Sequence, residues 1–166
     1  MNTNARAIFL DIDGTLIPFG AEAPCEQDRT ALLQARAAGH KVLINTGRSS
    51  GFLPPVLRTA DYLDGFLCGC GTQLIIGGKT LFKQEIPREA LRQVLAYFLE
   101  SPGEGCFFEG ETALLTIKRT HPQGQMLTRA DDFDTRFAGE SVTKLTIWGA
   151  PTQQQRRLLA PWFDLI

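Results

Sequence analysis

Two short stretches hold the side chains able to do chemistry. The first is Asp11-Ile12-Asp13-Gly14-Thr15, two carboxylates two residues apart followed by a glycine and a hydroxyl. The second is Thr46-Gly47-Arg48, a hydroxyl and a permanent cation around a glycine. Each follows an apolar run of strand type, Ile8-Phe9-Leu10 in one case and Val42-Leu43-Ile44 in the other. In an open α/β sheet, groups at the carboxyl ends of strands line the ligand crevice. Asp11 is then the first residue out of its strand. Gly14 lets the backbone turn, and Thr15 pins that turn through its hydroxyl. A hydroxyl with free main-chain N–H groups at a helix start makes an anion site at Thr46 and Gly47. Plainer readings stand beside these. The acidic stretch is also what a turn after a buried strand looks like, and Arg48 alone could be a solvated charge at a helix start.

The elements between these stretches bring them together. Residues 17–25 carry Pro18, Gly20 and Pro24 and read as loop. Residues 26–38 have helical spacing, with Ala31, Leu32, Ala35 and Ala38 on one face, Glu26 and Asp28 near the start and Gly39 as a terminator. Lys41-Val42-Leu43-Ile44-Asn45 is a second strand. Strand, helix and strand with short connections imply a right-handed crossover and parallel pairing, so Asp11 and Thr46 fall on the same sheet edge. A helix within residues 49–60, starting near Pro54-Pro55, follows, then a third strand, Gly65-Phe66-Leu67-Cys68-Gly69. After it, Gly77-Gly78 between two apolar runs signals a hairpin within residues 73–82. Cys70 reads either as a catalytic thiol or, by the plainer account, as a small buried packing residue.

The texture changes from Pro87. Leu91, Val94, Leu95, Phe98 and Leu99 predict a helix ending at Glu100. Residues 101–105 break the chain. Strands are expected at 106–108, 112–117 and 142–148, and a last helix carries or precedes Leu159, Trp162 and Phe163. Residues 119–140 are polar and weakly patterned.

Composition bounds the function class. The chain has 166 residues, 43% of them hydrophobic, and a formal net charge of −1. Acidic and basic residues are interleaved, which offers no footprint for nucleic acid. No apolar run approaches membrane-spanning length, and the N-terminus lacks a signal-peptide pattern. Cys25, Cys68, Cys70 and Cys106 show no Cys-x-x-Cys spacing, so reduced, buried thiols and a cytoplasmic location are expected.

Asp11-Ile12-Asp13-Gly14-Thr15 resembles the first motif of the haloacid dehalogenase-like superfamily, Asp-x-Asp-Gly-Thr. Thr46-Gly47-Arg48 resembles the second motif of its Cof-type (type IIB) branch. That branch usually has Asn-Gly-Ala before the hairpin, where this chain has Cys70-Gly71-Thr72. The resemblance implies an α/β fold: a partial Rossmann-like parallel sheet over residues 1–84, and a partial α+β cap over residues 85–166. Family members continue into a lysine-bearing third motif and a strand ending in Gly-Asp-x-x-Asn-Asp. Neither is visible here. Lys144 belongs to a strand and reads as solvated, Asp131-Asp132-Phe133-Asp134 reads as an acidic loop or helix start, and Asp164-Leu165-Ile166 reads as a strand beginning. The expectation is the N-terminal portion of a longer protein, or a gene truncated there.

By resemblance the activity is Mg²⁺-dependent hydrolysis of small phosphorylated metabolites, such as sugar phosphates. Asp11 would be the nucleophile that forms an aspartyl-phosphate, and Asp13 the general acid and then base. Mg²⁺ would sit between Asp11 and the Asp13 carbonyl, and Thr46, Gly47 and Arg48 would serve the phosphoryl group. Without the later motifs this chain alone is expected to be weakly active, since one missing charge-stabilising group costs roughly 10²–10³ in rate. The rival is a non-catalytic module that binds a phosphorylated ligand or a partner chain. The strand of residues 6–10, central in the family's sheet, would then be an open edge through which chains could self-associate.

Overall fold

The computed structural model describes residues 5–103 and 105–162. In it β1 (Ala7–Leu10) and β2 (Lys41–Asn45) lie parallel, with Leu10 opposite Ile44. Between them runs α1 (Glu26–Ala37). Its first N–H groups need an acceptor, and Cys25 supplies one, its Sγ accepting from the Asp28 N–H at 3.4 Å. Glu26 and Asp28 at the start and Arg36 at the end suit the helix dipole. The alanine-rich face buries no residue fully, and Leu32 alone of the expected face packs, partly buried, against the core cluster beside the sheet.

Beyond β2 the expected helix shrinks to a 3₁₀ turn at Ser50–Phe52 and one helical turn, α2 (Pro55–Arg58), with Pro55 in its first turn. The sheet continues with β3 (Gly65–Cys68), parallel to β2, and then β4 (Gln73–Ile76) and β5 (Lys79–Lys83), each antiparallel to its predecessor. Gly77 and Gly78 join β4 to β5 with φ of +56° and +76°, the left-handed pair that a two-residue hairpin requires. Strand order is β1-β2-β3-β4-β5, which leaves β1 at one edge. A core cluster forms from Ile12, Leu16 and Ile17 after β1, Ile44 of β2, and Leu53 and Leu57 around α2. Asp64, a residue without a sequence signature, clamps the opposite end. It accepts from Arg36 at 3.1 and 3.2 Å, Lys41 at 3.0 Å and the Val42 N–H at 2.9 Å.

A second compact unit begins at Glu85. Here α3 (Arg88–Glu100) buries Leu91, Val94, Leu95 and Phe98 at the expected helical spacing. They share one core with residues of β6 (Cys106–Gly110), β7 (Leu114–Thr116) and β9 (Val142–Ile147). A further strand, β8 (Gly124–Met126), pairs in parallel with β7 inside the stretch whose pattern was weak, giving the order β8-β7-β6-β9. α4 (Gln153–Leu159) opens with a capping box between Thr152 and Gln155 and buries Leu159. Phe163 and the strand beginning read at Asp164-Leu165-Ile166 lie outside the described residues. No helix among the described residues is long and apolar enough to cross a membrane.

Candidate active site

The carboxyl ends of β1, β2 and β3 point the same way, because these three strands are parallel. Asp11 leaves β1 and Thr46 leaves β2 on that shared edge. The chain then closes a tight turn after β1 with four main-chain bonds: Leu16 N–H to Asp11 O, Thr15 and Ile17 N–H to Ile12 O, and Gly14 N–H to Ile17 O. These bonds do the pinning that was expected of the Thr15 hydroxyl, which is exposed and has no partner among the described residues. Gly14 sits at φ +74°, and a Cβ there would meet the Phe19 ring at 2.6 Å. The left-handed backbone is what favours glycine here, since the exposed Phe19 ring can swing aside.

The turn aims Asp13 at Arg48. The guanidinium grips the carboxylate in a fork, Nη2 to Oδ1 at 2.6 Å and Nε to Oδ2 at 2.9 Å, across 35 residues of sequence. Its remaining nitrogen donates to the Phe52 carbonyl at 3.3 Å. Arg48 is therefore no solvated helix-start charge. The fork and the positive charge of Arg48 hold the Asp13 carboxyl below the usual range. Thr46 is buried, and its Oγ1 accepts from the Arg48 N–H at 3.2 Å, so that amide is not one of the free donors expected there. Asp11 is exposed and forms no ion pair among the described residues.

Cys70 completes this edge. Its N–H donates to the Thr46 carbonyl at 3.2 Å, and the neighbouring Gly69 N–H donates to the Arg48 carbonyl at 2.8 Å. Cys70 is exposed, with φ +58° between two glycines that are also left-handed. This corrects the buried-packing reading. It also gives a physical reason for asparagine at this place in the resembling branch, since asparagine tolerates the left-handed region best after glycine. The thiol has no hydrogen-bond partner among the described residues. Cys25 is exposed too, while Cys68 and Cys106 are buried, and burial pushes the Cys68 thiol up to about 11.

Two other acidic or basic groups are settled by contact. Asp132 is fully buried, accepting from the Thr128 and Arg129 N–H groups, with Arg136 beside it at 3.3 Å. Asp131 and Asp134 pair with Arg129 and Arg92. The acidic run is a structural turn. Lys144 is not solvated: it pairs with the buried Glu109 at 2.7 Å.

A hard divalent cation prefers carboxylates, carbonyls and waters, and Mg²⁺ usually takes only one or two carboxylates from protein. Among the described residues no group of three or more His, Cys, Asp or Glu side chains could hold a metal. The smaller donor set does fit Mg²⁺. The Asp11 carboxylate has no ion pair among the described residues, and the bonds that close the turn use the carbonyls of Asp11, Ile12 and Ile17 and leave out that of Asp13.

Residues 8–146 match the haloacid dehalogenase-like hydrolase family. YkrA of Bacillus subtilis (strain 168), described as a candidate phosphatase, is 25% identical over 169 residues, covering 98% of this chain and 65% of its own length. Among solved structures, the sugar phosphatase BT4131, of subclass IIB of the superfamily, superposes with a TM-score of 0.66 at 22% identity, covering 94% of this chain and 62% of its own. BT1666 of Bacteroides thetaiotaomicron, from the phosphatases of the same superfamily, gives a TM-score of 0.71 at 20% identity, covering 95% and 60%. These likenesses establish the fold, and this chain spans under two thirds of each relative's length.

Proposed function

The chain belongs to the haloacid dehalogenase-like hydrolase family, and from that premise we propose that it carries the nucleophile half of a Mg²⁺-dependent phosphomonoester hydrolase. The observation that carries the reading is the Asp13–Arg48 fork, which ties the turn after Asp11 to the turn after Thr46 at the ends of adjacent parallel strands. Substrates would be small phosphorylated metabolites such as sugar phosphates, in keeping with what BT4131 acts on.

In this scheme a carboxylate oxygen of Asp11 attacks phosphorus as the ester P–O bond breaks, which leaves an aspartyl-phosphate. Asp13 gives its proton to the departing alkoxide. A water then attacks the aspartyl-phosphate, Asp13 takes the water's proton, and inorganic phosphate leaves. The forked, ionised Asp13 of the resting site is ready for the base step. The acid step requires Arg48 to turn toward the phosphoryl oxygens, which are the stronger anion, so that the released Asp13 carboxylate first takes up a proton from solvent. The Thr46 hydroxyl and the Gly47 main chain would orient the same oxygens. The Asp11 carboxylate and Asp13 carbonyl would hold Mg²⁺, which neutralises phosphoryl charge when bound. The four free thiols suit a cytoplasmic setting.

Hydrolysis of p-nitrophenyl phosphate with Mg²⁺ tests this. Turnover is expected to be slow, because Asp11 has no cationic partner among the described residues, and Asp11→Asn should abolish it. Activity that survives Asp11→Asn would refute the assigned nucleophile. A second reading, a non-catalytic module for a phosphorylated ligand or a partner chain, draws on the β1 edge. It is favoured if inorganic phosphate shifts the Gly47 and Arg48 amide resonances while no Asp11-dependent turnover occurs.

A further inference from the structure

Beside the Asp13–Arg48 fork lies a cavity of about 520 Å³, within the range of small-molecule sites. Its polar end is the fork itself, and its walls are largely apolar: Phe19 and Pro18 from the loop after β1, Pro54 and Val56 from the start of α2. The Phe19 side chain is 88% exposed, yet its ring packs over the main chain at Gly14, one residue from Asp13. An aromatic ring that adds nothing to the core but lines the same cavity as the acid, beside Gly14, is placed to meet a ligand. A cavity of 150 Å³ already accepts benzene, so this one has room for a one- or two-ring group.

Charge narrows the class. Asp13, Arg48 and Glu22 are the ionised groups lining the cavity, two negative and one positive. A second phosphate or carboxylate on the ligand would therefore be opposed, while a neutral or positively charged ring would not. Resting on the phosphatase reading above, we infer that this cavity takes the leaving group of the substrate and that Phe19 selects aryl or heteroaryl phosphomonoesters lacking a second anionic group. Asp13 lies at the junction, where the acid must reach the ester oxygen.

Phosphonates test the binding without chemistry. Phenylphosphonate and methylphosphonate are titrated separately into the full chain and followed by amide resonances. Phenylphosphonate is expected to bind roughly 2- to 10-fold more tightly, the worth of one aromatic contact, and to shift residues 17–22 and 54–56 where methylphosphonate does not. Phe19→Ala should erase the difference and leave methylphosphonate binding unchanged; Phe19→Trp should keep it. Phe19 is exposed, so neither variant threatens the fold. Equal binding of the two ligands to the native chain, or a preference that persists in Phe19→Ala, overturns the aryl pocket and spares the phosphate site. Failure of both phosphonates to shift Gly47 and Arg48 overturns the phosphate site, and the leaving-group pocket with it.

Discussion

The two units of the chain handle apolar surface in opposite ways. In residues 85–162, α3 buries a full stripe, and Phe108 meets Phe133 edge to face at 5.1 Å inside one shared cluster. In residues 5–84, α1 buries nothing fully, and the large apolar side chains that are exposed among the described residues all fall here: Phe9, Phe19, Leu33, Val56, Leu81 and Phe82. The difference begins in composition. α3 has Leu, Val and Phe at core spacing, whereas α1 has alanines, which remove little apolar area from water. Topology adds to it, because β1 sits at a sheet edge and Phe9 stays 53% exposed. The first unit therefore concentrates its packing under the loops that carry Asp13 and Arg48. The candidate site rests on the less self-contained unit.

The sharpest way to break this contrast is in the second unit. Phe98 is fully buried, and Phe98→Ala should cost about 3–5 kcal/mol, read as a fall in the urea midpoint with dispersion lost first from residues 85–162. A cost under about 1 kcal/mol would mean that the cluster is no single packed core. A smaller effect is expected at the site. Arg48 depresses the Asp13 carboxyl, chiefly through its hydrogen bonds and then its charge. The stabilisation is therefore present above the unfolded value of about 4 and lost as pH falls through the lower folded value. Arg48→Gln should return the Asp13 carboxyl toward the ordinary range in a carbon-detected titration and flatten the acid limb of stability. An unchanged Asp13 titration would show that the fork is not formed in solution. The smallest change in stability is expected at the edge. Phe9→Lys should alter stability by within about 0.5 kcal/mol but suppress concentration-dependent self-association, since charge blunts an open strand edge. Light scattering that finds the native chain monomeric over a wide concentration range would remove the edge from consideration.

Much of the fold was legible from pattern alone. The strands and hairpin of residues 7–83 and the helix at 88–100 follow from local periodicity and turn residues, which act over a few neighbours. β8 was missed because Gly124-Gln125-Met126 has no alternation to read, and its pairing with β7 is the only thing that makes it a strand. α2 came out shorter than expected because the segment around Pro54 and Pro55 is held by contacts of Leu53 and Leu57 rather than by propensity.

At the site the division is sharper. The residue types and order of Asp11, Asp13, Thr46 and Arg48, and their shared sheet edge, were determined by the sequence itself, because a strand-helix-strand unit has one common handedness. Which carboxylate meets the cation was not. Only the turn geometry after β1 and the register of β1 on β2 put Arg48 against Asp13 rather than Asp11. The same holds for Cys70, whose exposure follows from a left-handed backbone, and for Lys144, whose buried partner Glu109 lies on the neighbouring strand. Periodicity reports what a residue's neighbours in the chain require. Ion pairs and buried carboxylates depend on neighbours in space, and the folded chain alone supplies those.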